Sequence, residues 1–359
     1  MTIGKPRNTV LGLPSYKPGK SARQAEVEHG AVDAIKLASN ESPLVPLASV
    51  QAAIVAASSG VNRYPDHGAV ALRERLAEKL GLNANQIGVG AGSSGLLQQV
   101  LLCYVDDGDE VVYPWRSFEA YPILVQMVGG VSVRTPLNDD LSVDFAALTA
   151  AVTPATKVVF LATPNNPTGI SESTADIAAF VQSIPDDVIV LVDEAYREFN
   201  DPAAGDPVVD LLPRFRNVVV TRTMSKAHGL AGLRVGYAVG DPEIITTLDK
   251  TLMMFSVNLI AQAAALAVLD AQDEVDKRVA DIVAERARVS VALSELGVRT
   301  PKTAANFVYL PLGEDTERIG LALETKGVVT RAFAGDGIRV TIGTAAENDR
   351  FLATFAEVR

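Results

Sequence analysis

Val188-Ile-Val-Leu-Val-Asp-Glu-Ala-Tyr196 runs five apolar residues, most of them β-branched, directly into two carboxylates. An apolar run without polar alternation suits a strand covered on both faces, and helices supply that cover in a largely parallel sheet. The same character recurs at Glu110-Val-Val-Tyr113, Val158-Val-Phe-Leu-Ala162, Val218-Val-Val-Thr221 and Val235-Gly-Tyr-Ala-Val239. Between the runs lie helical spacings such as Ile177, Phe180, Val181 and Ile184, preceded by cap candidates in Ser171-Glu-Ser-Thr174. Strands alternating with helices predict an α/β architecture.

Outward from this centre the pattern changes. Residues 1–40 are rich in Pro, Gly and Lys and read as an arm, with Ile35-Lys-Leu-Ala38 opening an extended segment. From Asn258 to Leu296 an Ala-rich helical pattern runs on, and Asn306-Phe-Val-Tyr-Leu310 and Gly337-Ile-Arg-Val-Thr-Ile342 follow as strands. The expected organisation is an arm at 1–40 belonging to a small domain, a large domain at 41–257, and the rest of the small α+β domain at 258–359. No internal repeat is visible.

Composition narrows the class. Of 359 residues, 48% are hydrophobic and 21% charged, which fits a globular chain with a sizeable core. The net charge of −11 and the lack of a basic cluster argue against nucleic acid as a partner. Cys103 is the only cysteine and lies in an apolar run, so an internal disulfide is excluded and a core position expected. Neither a signal-peptide core nor a membrane-span-length apolar stretch appears, so the expectation is a cytoplasmic protein with no membrane partner. His29, His67 and His228 show no metal-ligand spacing, and no metal is expected.

Chemistry concentrates in Thr221-Arg-Thr-Met-Ser-Lys-Ala-His-Gly-Leu-Ala-Gly-Leu-Arg-Val-Gly236. Hydroxyls at Thr223 and Ser225 with Arg234 suit a phosphate, and Lys226 offers an amine to an aldehyde. Ala162-Thr-Pro-Asn-Asn-Pro-Thr-Gly169 and Val192-Asp-Glu-Ala-Tyr196 each close a strand, and ligands of open α/β sheets gather at strand carboxyl ends. Asp193 there suits a protonated pyridine nitrogen, or serves only as a helix cap. Gly88-Val-Gly-Ala-Gly-Ser-Ser-Gly-Leu-Leu97 is a Gly-rich turn into a helix, a phosphate site that lacks the Lys-Ser/Thr ending of a nucleoside-triphosphate loop.

Asn165-Asn-Pro-Thr-Gly169, Asp193-Glu-Ala-Tyr196, Ser225-Lys-Ala-His-Gly-Leu-Ala-Gly-Leu-Arg234 and Asn62-Arg-Tyr-Pro-Asp66 together resemble, in order, the fold-type I aminotransferases of the histidinol-phosphate aminotransferase group. The resemblance runs from about Leu13 to the C-terminus. It implies a large domain with a mostly parallel seven-stranded sheet, a smaller α+β domain and pyridoxal 5′-phosphate (PLP) as cofactor. Lys226 would hold the cofactor covalently and then move the proton of the substrate Cα. Asp193 would pair with the ring nitrogen, Asn166 and Tyr196 with the ring oxygen, and Phe118 would stack on the ring. Thr223, Ser225, Arg234 and the Gly92-Ser93-Ser94 segment would hold the phosphate, with Tyr64 reaching across from a second subunit of a homodimer. Arg339 would grip the substrate α-carboxylate, and Asn40 is a further substrate-binding candidate. Phe118 and Tyr121 also read as core aromatics, Tyr64 as a turn residue and His228 as a packing group.

Substrate choice is a separate question. Met253-Met-Phe-Ser-Val-Asn258 stands where the group usually carries a Pro-Tyr-Asn type segment, so Phe255 keeps an aromatic wall without a hydroxyl. Ser93-Ser-Gly-Leu96 and Trp115-Arg116 also depart from the group. These changes resemble the actinobacterial-type aromatic (phenylalanine) aminotransferases and predict reversible amino transfer between phenylalanine, tyrosine or tryptophan and 2-oxoglutarate, with ping-pong kinetics. Tyr16 and Arg331 remain at positions of substrate-phosphate contacts, so histidinol phosphate stays the alternative substrate. Arg331, Tyr16 or Lys17 would meet the distal carboxylate of 2-oxoglutarate. A PLP-dependent decarboxylase and a non-catalytic PLP-binding regulator are the remaining rivals.

Overall fold

The computed structural model describes residues 4–16 and 18–359, so Lys17 lies outside the described residues. Among the described residues twelve strands follow in chain order: β1 Ile35–Lys36, β2 Ile87–Gly90, β3 Glu110–Pro114, β4 Val131–Thr135, β5 Thr156–Ala162, β6 Ile189–Asp193, β7 Val218–Thr223, β8 Gly236–Gly240, β9 Phe307–Leu310, β10 Val328–Val329, β11 Arg331–Phe333 and β12 Gly337–Thr341. Seven of them form one sheet in the order β2-β8-β7-β6-β5-β3-β4. Neighbours are parallel from β7 to β4, while β8 runs antiparallel to both β7 and β2.

The apolar runs explain the sheet's centre. Every residue of β6, β7 and β8 is buried, as expected for strands covered on both faces. The Val235–Val239 run is the reversed strand, because residues 224–235 link β7 to β8 without the crossover helix that a parallel return needs. Two strands had no apolar signature in the sequence. β2 sits inside the Gly-rich stretch, where Gly236 of β8 approaches so closely that a Cβ on it would meet Ser93 N at 2.7 Å. β4 is an edge strand and mostly not buried.

Helix starts obey local capping. Ser173 accepts from Asp176 N at 3.1 Å ahead of the helix Thr174–Gln182, and Asn258 accepts from Ala261 N at 2.9 Å ahead of Leu259–Asp270. Each cap is worth about 1 kcal/mol. The expected helical run from 258 to 296 is two helices, Leu259–Asp270 and Gln272–Glu295, broken at Ala271. The two bury different faces: the first packs on the helix Ala48–Ser58, the second on β9 and the helix Ala345–Val358. A boundary at 257/258 would therefore assign to the C-terminal unit a helix whose main packing partner lies at 48–58. Among the described residues no helix is long and apolar enough to cross a membrane.

A second sheet, β11-β12-β9, is antiparallel, and its register sets Arg331 opposite Arg339. The arm contributes β1, which pairs in parallel with β10, and Thr341 N donates to Leu37 O at 2.9 Å. That pairing carries residues 38–40 between the second sheet and the carboxyl ends of the first.

Candidate active site

A cavity of about 480 Å³ opens at the carboxyl ends of the central strands. Into its lining the structure brings Lys226, Asp193, Asn166, Tyr196, Phe118, Ser93, Ser94, Thr223, Ser225, Arg234, Arg339, Asn40, Tyr16 and Arg331. The strands dictate which neighbours enter. Asp193 and Thr221 are cross-strand partners facing the site, so Arg222 and Glu194, one residue along, are turned to the opposite face. There they form a buried ion pair at 2.7 Å.

Lys226 is largely enclosed, and its Nζ donates to Ser39 O at 3.0 Å. Withdrawal from water, with Arg339 as a nearby like charge, brings its ammonium down to about 7. Asp193 is pushed up to about 6 by burial, against the hydrogen bonds it accepts from Tyr121 Oη at 3.0 Å and Thr221 Oγ1 at 3.5 Å. A buried carboxyl with hydrogen-bond donors and, among the described residues, no ion-pair partner is suited to a cationic ring nitrogen.

The phosphate-facing end is built on close approach. Thr223 Oγ1 donates to Ser225 Oγ at 3.0 Å, and Arg234 Nη1 donates to the same Ser225 Oγ at 3.1 Å. Gly92 starts the helix Gly92–Tyr104 with φ +73° and stays outside the lining itself; any Cβ there would collide with the Arg234 guanidinium. The helix N-terminus, two hydroxyls and a guanidinium form a donor set for an anion.

At the other end Arg339 is buried. Its Nη2 donates to Ala38 O at 2.7 Å and its Nη1 to Asn166 Oδ1, while Nε has no partner among the described residues. Nε itself is buried, and the guanidinium as a whole lines the cavity, where its fork suits a carboxylate. Asn40 Nδ2 donates to Tyr196 Oη at 2.9 Å and its Oδ1 accepts from Thr341 at 3.0 Å. Asn40 thereby places the Tyr196 hydroxyl, and it lines the cavity itself with one Nδ2 N–H uncommitted. Burial holds the Tyr196 phenol above its ordinary value, so it stays protonated. Arg331 donates through Nε to Glu119 Oε2 at 3.1 Å.

Trp115, Phe255 and Tyr64, like Gly92, lie outside the lining of this cavity. Trp115 packs edge-on against Tyr113 with the Arg134 guanidinium 4.2 Å from its ring centre, outside the cavity lining. Phe255 stacks on Tyr64 at 4.4 Å, and the Phe255 N–H donates to His67 Nδ1 at 3.2 Å. The pair sits on the surface beside Met253 and Met254, with Tyr64 81% exposed, so neither ring walls the cavity of its own chain. Trp115 and Phe255 thus lie outside the cavity of their own chain. The apolar wall of this cavity is made by Phe118, Ile123 and Leu124.

Sequence reasoning missed Tyr121 as the partner of Asp193, Ser39 as the partner of Lys226, and Glu119 in the cavity. Tyr121 and Glu119 lie next to Phe118 in the sequence, but nothing in spacing links them to residues far along the chain. Cys103 donates to Thr247 O at 3.4 Å, and burial pushes its thiol up, which makes it a poor nucleophile. Glu28, His29 and Glu324 come together, but Lys20 ion-pairs with both carboxylates and fills the cation's place.

The family profile "Aminotransferase class I and II" matches residues 32–355. An aromatic amino acid aminotransferase of Rhodococcus opacus is 48% identical over 97% of this chain and 94% of its own. One from Streptomyces coelicolor is 44% identical over 100% and 98%. Among solved structures, the histidinol-phosphate aminotransferase of Sinorhizobium meliloti in complex with pyridoxal 5′-phosphate superposes with a TM-score of 0.92 at 31% identity, covering 99% of this chain and 98% of that one. With the profile spanning most of the chain and these relatives matched end to end, the protein belongs to the class I and II aminotransferases and is a PLP-dependent transferase of fold type I.

Proposed function

We propose that this chain is an aromatic amino acid aminotransferase, exchanging the amino group of phenylalanine, tyrosine or tryptophan with 2-oxoglutarate in a ping-pong cycle. The observation that carries the reading is the placement of an apolar wall, Phe118, Ile123 and Leu124, in the same cavity as Lys226 and Arg339. The names of its relatives from Rhodococcus opacus and Streptomyces coelicolor support it further.

PLP, when bound, supplies an electron sink for the pair left at the substrate Cα and carries the amino group between the two half-reactions. The residues of this chain do the rest. Lys226 Nζ is neutral above about pH 7 and so accepts the Cα proton there and returns it. Asp193 holds the ring nitrogen in its protonated form. With Oδ1 given to Arg339, Asn166 has its NH2 group for the ring oxygen, beside the Tyr196 hydroxyl. Thr223, Ser225, Arg234 and the start of the helix at Gly92 bind the phosphate, and the Arg339 guanidinium, which lines the cavity, binds the α-carboxylate. Arg331 and Tyr16 line the same cavity and would meet the distal carboxylate of 2-oxoglutarate.

The working form is a homodimer. Tyr64, Met253 and Met254 are 81%, 75% and 78% exposed around Phe255, an apolar surface suited to burial against a second copy. In that arrangement Tyr64 and Phe255 serve the partner's cavity.

Steady-state assays test the substrate. Phenylalanine should bleach the absorbance of the bound cofactor and show a higher kcat/KM than histidinol phosphate. The reverse preference would replace this reading with a histidinol-phosphate aminotransferase, and CO₂ release without a keto acid would select a decarboxylase.

A further inference from the structure

We propose that Glu119 sets the substrate range of the cavity by neutralising Arg331, so that its outer end accepts an uncharged ring or a single carboxylate and rejects a phosphate. The inference rests on the aromatic aminotransferase reading and names the residue that enforces it.

Two arginines face the cavity from adjacent strands. Arg331 on β11 and Arg339 on β12 are cross-strand partners. Like charges directly opposite one another destabilise a sheet and, unopposed, create a strong anion site. An empty pocket with two free guanidinium groups would favour the most highly charged ligand available. An apolar ring entering it would leave a cation without a partner.

Glu119 changes that balance. It precedes the helix Ala120–Val128, and its Oε2 accepts from Arg331 Nε at 3.1 Å and from Nη2 at 2.5 Å. Both groups are partly shielded, with side chains 17% and 32% exposed for Arg331 and Glu119. Nε and Nη2 of Arg331 are therefore occupied, and Nη1 makes only a long 3.4 Å contact with Pro18 O. The pair has no net charge. Arg339, in contrast, makes no ion pair with a carboxylate among the described residues, so its charge is left for the α-carboxylate.

The consequence is selective. A ring can pack on Phe118, Ile123 and Leu124 without stranding a cation. One distal carboxylate can use the remaining Nη1 donors. A phosphate monoester carries about −1.5 to −2 at pH 7 and would bring that charge against the Glu119 carboxylate.

Holoenzyme with Glu119→Gln tests the assignment. The ratio of kcat/KM for histidinol phosphate to that for phenylalanine should rise by roughly 10-fold or more, the size of one lost like-charge contact. Inorganic phosphate should become a stronger competitive inhibitor against phenylalanine. Adding Arg331→Gln should cancel both gains, and Glu119→Asp should keep the wild-type ratio. Arg331→Gln alone leaves Glu119 uncompensated, so phosphate inhibition should weaken below wild type. An unchanged ratio in Glu119→Gln, gains that persist in the double variant, or stronger phosphate inhibition in Arg331→Gln would each overturn the proposal. Wild-type preference for histidinol phosphate would instead overturn the aromatic reading, so the two failures are told apart by which protein shows the anomaly.

Discussion

The Tyr121 hydroxyl donates a 3.0 Å hydrogen bond to the buried carboxyl of Asp193. Burial drives the Tyr121 phenol well above its ordinary value, so it remains a donor throughout the working range. The bond favours the ionised form of Asp193 against the burial that has raised it to about 6. Removing the donor in Tyr121→Phe should raise the Asp193 value further and shift the acidic limb of the kcat/KM pH profile upward. Loss of one buried hydrogen bond should also cost about 1 to 2 kcal/mol in denaturant unfolding at pH 7. An unmoved pH profile would remove Tyr121 from the site.

Asp193 itself gives a stability test with a definite sign. Its folded value lies above the ordinary one, so the folded chain binds more protons between about pH 4 and 6, and stability falls as pH rises through that window. In cofactor-free protein, Asp193→Asn should raise Tm at pH 7 and leave it nearly unchanged at pH 4. The same variant should lose about 100-fold or more in kcat, the scale of removing an electrostatic partner of the reacting centre. A lower Tm at pH 7 would contradict the burial argument.

Lys226 carries the opposite shift. Its value of about 7 makes the amine neutral and nucleophilic above that pH, so uptake of PLP by cofactor-free protein should speed up through pH 7 and then level off. Because the folded chain disfavours the charged form, its cost to stability is full below about 7 and disappears as pH rises toward 10.5. Lys226→Ala should abolish the absorbance band of the bound cofactor and almost all turnover. Retention of both would refute the assignment.

Arg339 is held at Asn166 Oδ1 and Ala38 O with its guanidinium lining the cavity. Lysine cannot reproduce that fork, so Arg339→Lys should reduce kcat/KM by roughly 100-fold for phenylalanine and for glutamate alike, from the 2 to 5 kcal/mol typical of a disrupted buried charge contact. A loss confined to one substrate would show that the guanidinium does not bind the shared α-carboxylate.

Phe255 and Tyr64 stack at 4.4 Å on an exposed apolar surface. Phe255→Asp should shift the mass in light scattering from dimer toward monomer, with activity falling as the protein is diluted. A stable dimer of unchanged activity would show that the interface lies elsewhere.

Much of the site could be read in order along the chain. Asp193 could be placed at a strand end because an apolar run stops at it, and Lys226 because hydroxyls and Arg234 surround it within one loop. β2 and β4 could not, since glycine packing and a half-exposed edge leave no apolar run. The break at Ala271 was equally hidden, because Ala-rich helix propensity continues through it while the packing partners change.

What the sequence by itself determined is the layered α/β sheet and the short-range motifs, since β-branched runs, caps and loop chemistry act between near neighbours. What only the tertiary structure decided is every partnership between distant segments: Ser39 with Lys226, Tyr121 with Asp193, and Glu119 with Arg331. It also placed Phe118, Ile123 and Leu124 on the wall of the cavity beside Lys226. The physical reason is that such contacts are set by strand order and register, which bring together residues whose separation along the chain carries no periodic signal.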